Sequence, residues 1–214
     1  YDLALSSLVW NPTMGSTLAK LAIALVLLNW HIGSTPRVAV VVAVAWSAVH
    51  AYTGAIFVAV GVCAAVVSEP IGRCDWRGVR RVAAVIVVAI ALLQLPYLGH
   101  RLSQQADDGA MGGVFDSVGR ILSGANEPVV ANSIGSYVRA VQFIALEPWR
   151  VPFLGWGLVL SGVLMTVRYR RDGSLLAVTV LPQLAAVGGY AFFLADLNDY
   201  YYLSLMPGAT LMVV

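Results

Sequence analysis

The sequence predicts an all-α fold, a polytopic transmembrane helix bundle with about seven membrane segments and an extracytoplasmic helical segment. Three observations predict it. The chain of 214 residues is 59% hydrophobic and 11% charged, where a soluble domain carries about 25% charged residues. Long apolar runs recur at residues 13–30, 38–49, 52–67, 82–98, 151–167, 175–194 and 201–214. Two of the gaps are dense in arginine: one holds Arg73, Arg77, Arg80 and Arg81, the other Arg168, Arg170 and Arg171. Short loops rich in Lys/Arg stay on the cytoplasmic side. An even number of crossings separates these two loops, so one orientation satisfies both. It sends most other polar residues to the extracytoplasmic face.

The elements follow in order. Trp10, Asn11 and Pro12 precede the first run; tryptophan suits a membrane interface and proline is tolerated in a helix's first turn. Residues 13–30 then run inward. Residues 31–37 form a tight turn with Gly33, Pro36 and a basic end at Arg37. The runs 38–49 and 52–67 are each short for a span of ~20 residues. As one helix they would be too long and would put the flanking basic loops on opposite sides. They are therefore two short helices that break near His50, Ala51 and Tyr52 at the outer face. Residues 68–81 form the first arginine-rich inner loop, and 82–98 return outward.

Residues 99–150 are too long for a bare loop and should carry structure of their own. Within them, 114–122 and 128–146 have helical spacing, with Val130, Ile134, Tyr137, Val138 and Val141 on one side; such amphipathic helices commonly lie flat at the interface. Residues 151–167 go in, 175–194 come out, and 201–214 start in again. The chain thus divides into membrane helices at 1–98, the extracytoplasmic segment at 99–150 and further membrane helices at 151–214. Tyr1 is not a start methionine and residue 214 ends inside an apolar run, so the chain reads as a piece of a longer protein.

Composition excludes some chemistry. A net charge of +2 is too small to argue for nucleic acid. Cys63 and Cys74 have no metal-ligand spacing, and one falls in an apolar run while the other falls in the inner loop, which argues against a disulfide. The chain has no Gly-rich phosphate loop and no nucleophile elbow. No metal site is read from the sequence; Asp107 and Asp108 look like paired acids only superficially.

Candidate binding residues collect at the outer ends of the runs. Asn11 either contacts a ligand or caps the helix that follows. His50 either hydrogen-bonds an acceptor or phosphate, or is a polar cap at the break. Asp196 and Asp199 are solvated loop acids or, with Tyr200, Tyr201 and Tyr202 beside them, part of a sugar or head-group site. Lys20 lies inside an apolar run, roughly 10 Å below the outer end at the helical rise. It either snorkels to the interface or meets a buried anion. Among Arg101, Arg120, Arg139 and Arg150, Arg139 is preferred for bidentate phosphate binding, because its helix also carries Tyr137 and Gln142.

Three segments together resemble the GT-C superfamily, the polytopic glycosyltransferases that use polyprenyl-phosphate sugars, including protein O-mannosyltransferase-like and aminoarabinose-transferase-like enzymes. The first is Val9-Trp10-Asn11-Pro12-Thr13 before a leucine/alanine helix. The second is Ser47-Ala48-Val49-His50-Ala51-Tyr52-Thr53 between two short helices. The third runs from Asp199 through Tyr200, Tyr201 and Tyr202 to Pro207 and Gly208 and is similar to the segment that opens a late helix in many of these enzymes. There Asp199 stands where the family often has a basic residue.

The resemblance implies a bacterial plasma-membrane transferase that takes a sugar from a polyprenyl-phosphate carrier at the outer face, with an acceptor the chain does not name. The family's catalytic acid, in the first outer loop, is expected upstream of Tyr1. A divalent cation has room in such a mechanism, with ligands not visible in this chain. Two other classes fit the same architecture: a transporter or permease subunit built on broken helices, and a non-catalytic cell-envelope assembly protein.

Overall fold

The computed structural model describes residues 11–104 and 154–190, together with Gly135, Tyr137, Leu205, Gly208 and Leu211. Among the described residues every regular element is helical. The elements are α1 (Asn11–Leu27), α2 (Thr35–Ala51), a 3-10 turn (Thr53–Ala55), α3 (Ile56–Gly72), α4 (Trp76–Gln104), α5 (Leu154–Arg168) and α6 (Gly173–Tyr190). Three stretches are long and apolar enough to cross a membrane: Thr53–Gly72, Trp76–Pro96 and Gly173–Tyr190. Met14–Leu27 and Thr35–Ala51 are apolar but shorter, below the ~20 residues of a full span. Of the about seven segments that the apolar runs predict, the last, 201–214, lies outside the described residues except at Leu205, Gly208 and Leu211. So does most of the predicted extracytoplasmic segment.

The first three helices each bury one stripe. On α1 it is Ala19, Ala22, Ile23 and Val26; on α2 it is Val38, Val41, Val42, Ala45 and Ala48; on α3 it is Val58, Ala59, Val62, Ala65 and Val66. These are the i, i+3, i+4, i+7 spacings of one helix face. The side chains are small, so the backbones approach closely, as packed membrane helices do. α2 is central, against α1, α3 and α4, while α3 makes its most extensive contact with α6. At that contact a side chain on Gly61 would collide with the Ala177 carbonyl and come within 2.6 Å of the Pro182 ring. α4 is different: Val87, Val88, Leu92 and Leu95 are all exposed. An apolar face of this extent is costly in water and suited to lipid.

The helix ends explain the turns. α1 stops at Leu27, short of the predicted residue 30, because Asn29 adopts a left-handed conformation at φ 54° and Gly33 follows at φ 74°. Ser34 then precedes α2 and a proline occupies its first turn, a position where the missing N–H costs nothing. The predicted inner loop at 68–81 is instead a three-residue turn. α3 continues through Pro70 to Gly72 and α4 starts at Trp76, so Arg77, Arg80 and Arg81 are helical. Asp75 makes this possible: its Oδ1 accepts the Gly78 N–H at 2.9 Å, an N-cap. Its own N–H donates to the Pro70 carbonyl at 2.9 Å. Asp172 repeats the device at the start of α6, accepting the Leu175 N–H at 2.9 Å.

The helical order brings the arginine-bearing turns to one end. The Ser68 and Ser174 hydroxyls, 3.1 Å apart, tie the end of α3 to the start of α6. A cavity shared by His31, Ser34, Glu69, Arg73 and Arg81 joins the α1–α2 turn to the α3–α4 turn. Arg37 stacks over the Trp30 ring at 5.5 Å beside it. Arg170 and Arg171 line a groove with Ser68 and Gly72. The start of α1, the end of α2 and the end of α6 lie at the opposite end.

Candidate functional site

The end opposite the arginines is built around the break between α2 and α3. Tyr52 leaves the helix in an extended conformation, φ −158° and ψ 115°, while its N–H still donates to the Ala48 carbonyl. The 3-10 turn then carries the chain into α3. The first turns of α1 press on this break: a Cβ on Gly15 would lie 2.6 Å from the Tyr52 Cβ and 3.3 Å from the Ala48 carbonyl oxygen. Only glycine permits that approach. Across the bundle Phe57 meets Tyr190 edge-on, with ring centroids 5.0 Å apart.

A buried polar chain lies deeper, on α6. The Tyr137 hydroxyl donates to Gln183 Oε1 at 2.7 Å, and Gln183 Nε2 donates to the Leu205 carbonyl at 3.0 Å. Tyr137 is 3% and Gln183 6% exposed, so each bond forms out of water's reach. Pro182 precedes Gln183 inside α6. It lacks the N–H that would bond the Val178 carbonyl four residues earlier. Gly208 sits over that carbonyl, close enough that a Cβ would be 2.9 Å from it. Three separate parts of the chain, at Tyr137, at Gln183 and at Leu205 with Gly208, are thus joined at one point.

The sequence-predicted residues fall as follows. Asn11 is the first residue of α1, and His50 is exposed in the last turn of α2; both are at the end opposite the arginines. Lys20 is exposed on α1, on the flank away from the buried stripe of Ala19, Ala22, Ile23 and Val26. That exposure suits a snorkelling side chain. Arg139, Asp196, Asp199 and Tyr200 lie outside the described residues.

Sequence reasoning assigned no role to Gln183, the hub of the polar chain. The available signal was a lone amide after a proline in an apolar run, a placement expensive in a membrane unless partnered. It also passed over His31, which is 2% exposed. Chemically, the end opposite the arginines offers hydrogen-bonding groups and aromatic faces among the described residues. Among the described residues no three His, Cys, Asp or Glu side chains are placed to hold a metal ion. Comparison with protein-family models gave no match. Neither curated proteins nor solved structures gave a significant match.

Proposed function

We infer that this chain is part of a membrane glycosyltransferase that moves a sugar from a polyprenyl-phosphate donor to an acceptor at the outer face of a bacterial plasma membrane. The observation that carries this reading is the meeting of the α1 start with the α2–α3 break at the end opposite the described arginine turns. Two of the three GT-C-like segments, with Asn11 and His50, belong to that meeting point. The third segment supplies Leu205 and Gly208, which dock on α6 at Pro182. In this reading His50 and Asn11 contact the donor or the acceptor, Asp196, Asp199, Tyr200 and Arg139 complete the outer cavity, and the catalytic acid comes from elsewhere in the full-length protein. Lys20 would serve only a lipid-linked phosphate that approaches along the exposed flank of α1.

The test is donor turnover. Full-length protein in proteoliposomes should release polyprenyl phosphate from a polyprenyl-phosphate sugar when membrane extract supplies the acceptor. His50→Ala should lower that rate roughly tenfold, the worth of about one charge-assisted hydrogen bond, with an unchanged melting profile. Full activity in the folded variant would remove His50 from the site. Solute flux without any donor, in place of turnover, would identify a permease.

A further inference from the structure

The arginine end holds a cavity of about 200 Å³ that the reading above does not use. Its lining is unusual for a bundle end. His31 is 2% exposed, lines the cavity, and has no hydrogen-bond partner on either ring nitrogen. A buried imidazole left so is costly. Beside it starts α2, whose N-cap Ser34 makes no side-chain capping bond and whose first turn contains no acid. The first intrahelical bond is from Val38 to Ser34 at 3.1 Å, so the N–H groups of Thr35 and Arg37 precede the ladder and have no partner within it.

The charges around the cavity are not equivalent. Glu69 is paired with Arg73 at 2.8 Å. Asp75 accepts the Gly78 N–H. Arg81 has no acid partner among the described residues. What remains unengaged is rich in donors: the Arg81 guanidinium, the N–H groups of a helix N-terminus beside two hydroxyl residues, and the His31 ring, which carries one N–H when neutral and two when protonated. A tetrahedral anion satisfies that set, because helix N-termini favour negative charge and arginine matches phosphate oxygens in pairs.

We propose that this cavity binds a phosphate group, held between Arg81, the uncapped first turn of α2 and the ring of His31. The site lies at the end opposite the proposed transfer site, so it stands independently of that reading. The phosphate comes either from free solute or from the head group of an anionic lipid in the adjacent leaflet. His31 adds a pH dependence. Burial holds its imidazole below the ordinary value, and the Glu69 carboxylate pulls it partly back; Arg73, Asp75 and Arg81 also face the cavity. Without an anion the ring is neutral at neutral pH. A bound dianion favours the imidazolium, so binding takes up a proton and tightens as pH falls.

The experiment uses full-length protein in nanodiscs. Inorganic phosphate added to phosphatidylcholine discs, or phosphatidic acid included in the lipid without added phosphate, should raise Tm by about 3 °C. Arg81→Gln should abolish the rise, and Arg170→Gln, a control at the same end, should keep it. A rise with inorganic phosphate identifies a solute site; a rise with phosphatidic acid alone identifies a lipid site. Sulfate, a dianion throughout, should bind more tightly at about pH 6 than at about pH 8, and His31→Gln should flatten that difference. No rise with either probe, or a rise that survives Arg81→Gln, overturns the proposal.

Discussion

Replacing Gly61 by valine should unfold or disassemble the bundle at the most extensive helix contact among the described residues. The new Cβ would collide with the Ala177 carbonyl and stand 2.6 Å from Pro182 Cγ. Neither neighbour can yield: one is backbone, and the other is a ring locked to its own backbone. α3 and α6 would have to separate along their most extensive contact. Overpacking ordinarily costs about 1–3 kcal/mol, and a collision with a backbone carbonyl and a rigid proline ring together belongs at or above the upper end. Val60, one position along and 46% exposed, provides the control, since Val60→Ala should change stability by less than about 0.5 kcal/mol. Thermal denaturation in a mild detergent measures both. Equal Tm values for Gly61→Val and Val60→Ala would mean that the α3–α6 contact is looser than described.

Gln183→Leu should be the second most damaging change. The amide serves two buried partners at once, the Tyr137 hydroxyl and the Leu205 carbonyl. Leucine is close in size but leaves both unserved. An unsatisfied buried group costs about 1–3 kcal/mol, while measured couplings within membranes average only about 0.6 kcal/mol. A loss of about 2 kcal/mol is expected. Tyr137→Phe should cost less, because it retains the bond from Gln183 to Leu205. In the double variant the two losses should not add, since both remove the same bond. Strict additivity in the denaturation series would show that the residues act separately. The change should also reduce any activity that needs Leu205 and Gly208 docked on α6.

The parts of the fold visible in the sequence were those written in composition. Apolar runs and arginine-rich gaps are direct consequences of a lipid-like surface and of charge placement, and they yielded an all-helical chain with a turn near residue 52. What composition could not show was where a proline ends a helix and where it does not. Pro36 opens α2, while Pro70 and Pro182 lie inside α3 and α6. Their effect depends on what packs against the freed carbonyl, as Gly208 does over Val178. The arginine-rich stretch 68–81 reads as a long loop in the sequence for a related reason: Asp75 caps a helix that already contains three of its arginines.

The site was legible to the same degree. Asn11 and His50 stand out because a polar residue beside an apolar run is a local signal, and both fall at the end opposite the arginines. For Lys20 the sequence leaves snorkelling and a buried anion both open, because an exposed flank and a buried one differ by one or two positions, and the exposed placement on α1 suits the first. Gln183 and His31 matter through partners or neighbours far away in sequence, 137 and 205 for one and 69 and 81 for the other. No spacing rule reaches across those separations.

The account rests on one orientation, with the arginine turns inside and the α2–α3 break outside. Cys74 tests it directly, because it is an exposed thiol in the α3–α4 turn. The measurement is labelling of whole cells by a membrane-impermeant maleimide, using full-length protein with Cys63 replaced by alanine and any cysteine elsewhere in it replaced by serine. Cys74 should react only after the cells are opened. In a second protein, Cys74→Ser with His50→Cys, the introduced thiol should react in intact cells. The reverse pattern, with Cys74 labelled in intact cells and the position-50 thiol protected until lysis, would contradict the orientation and the outer-face transfer site with it.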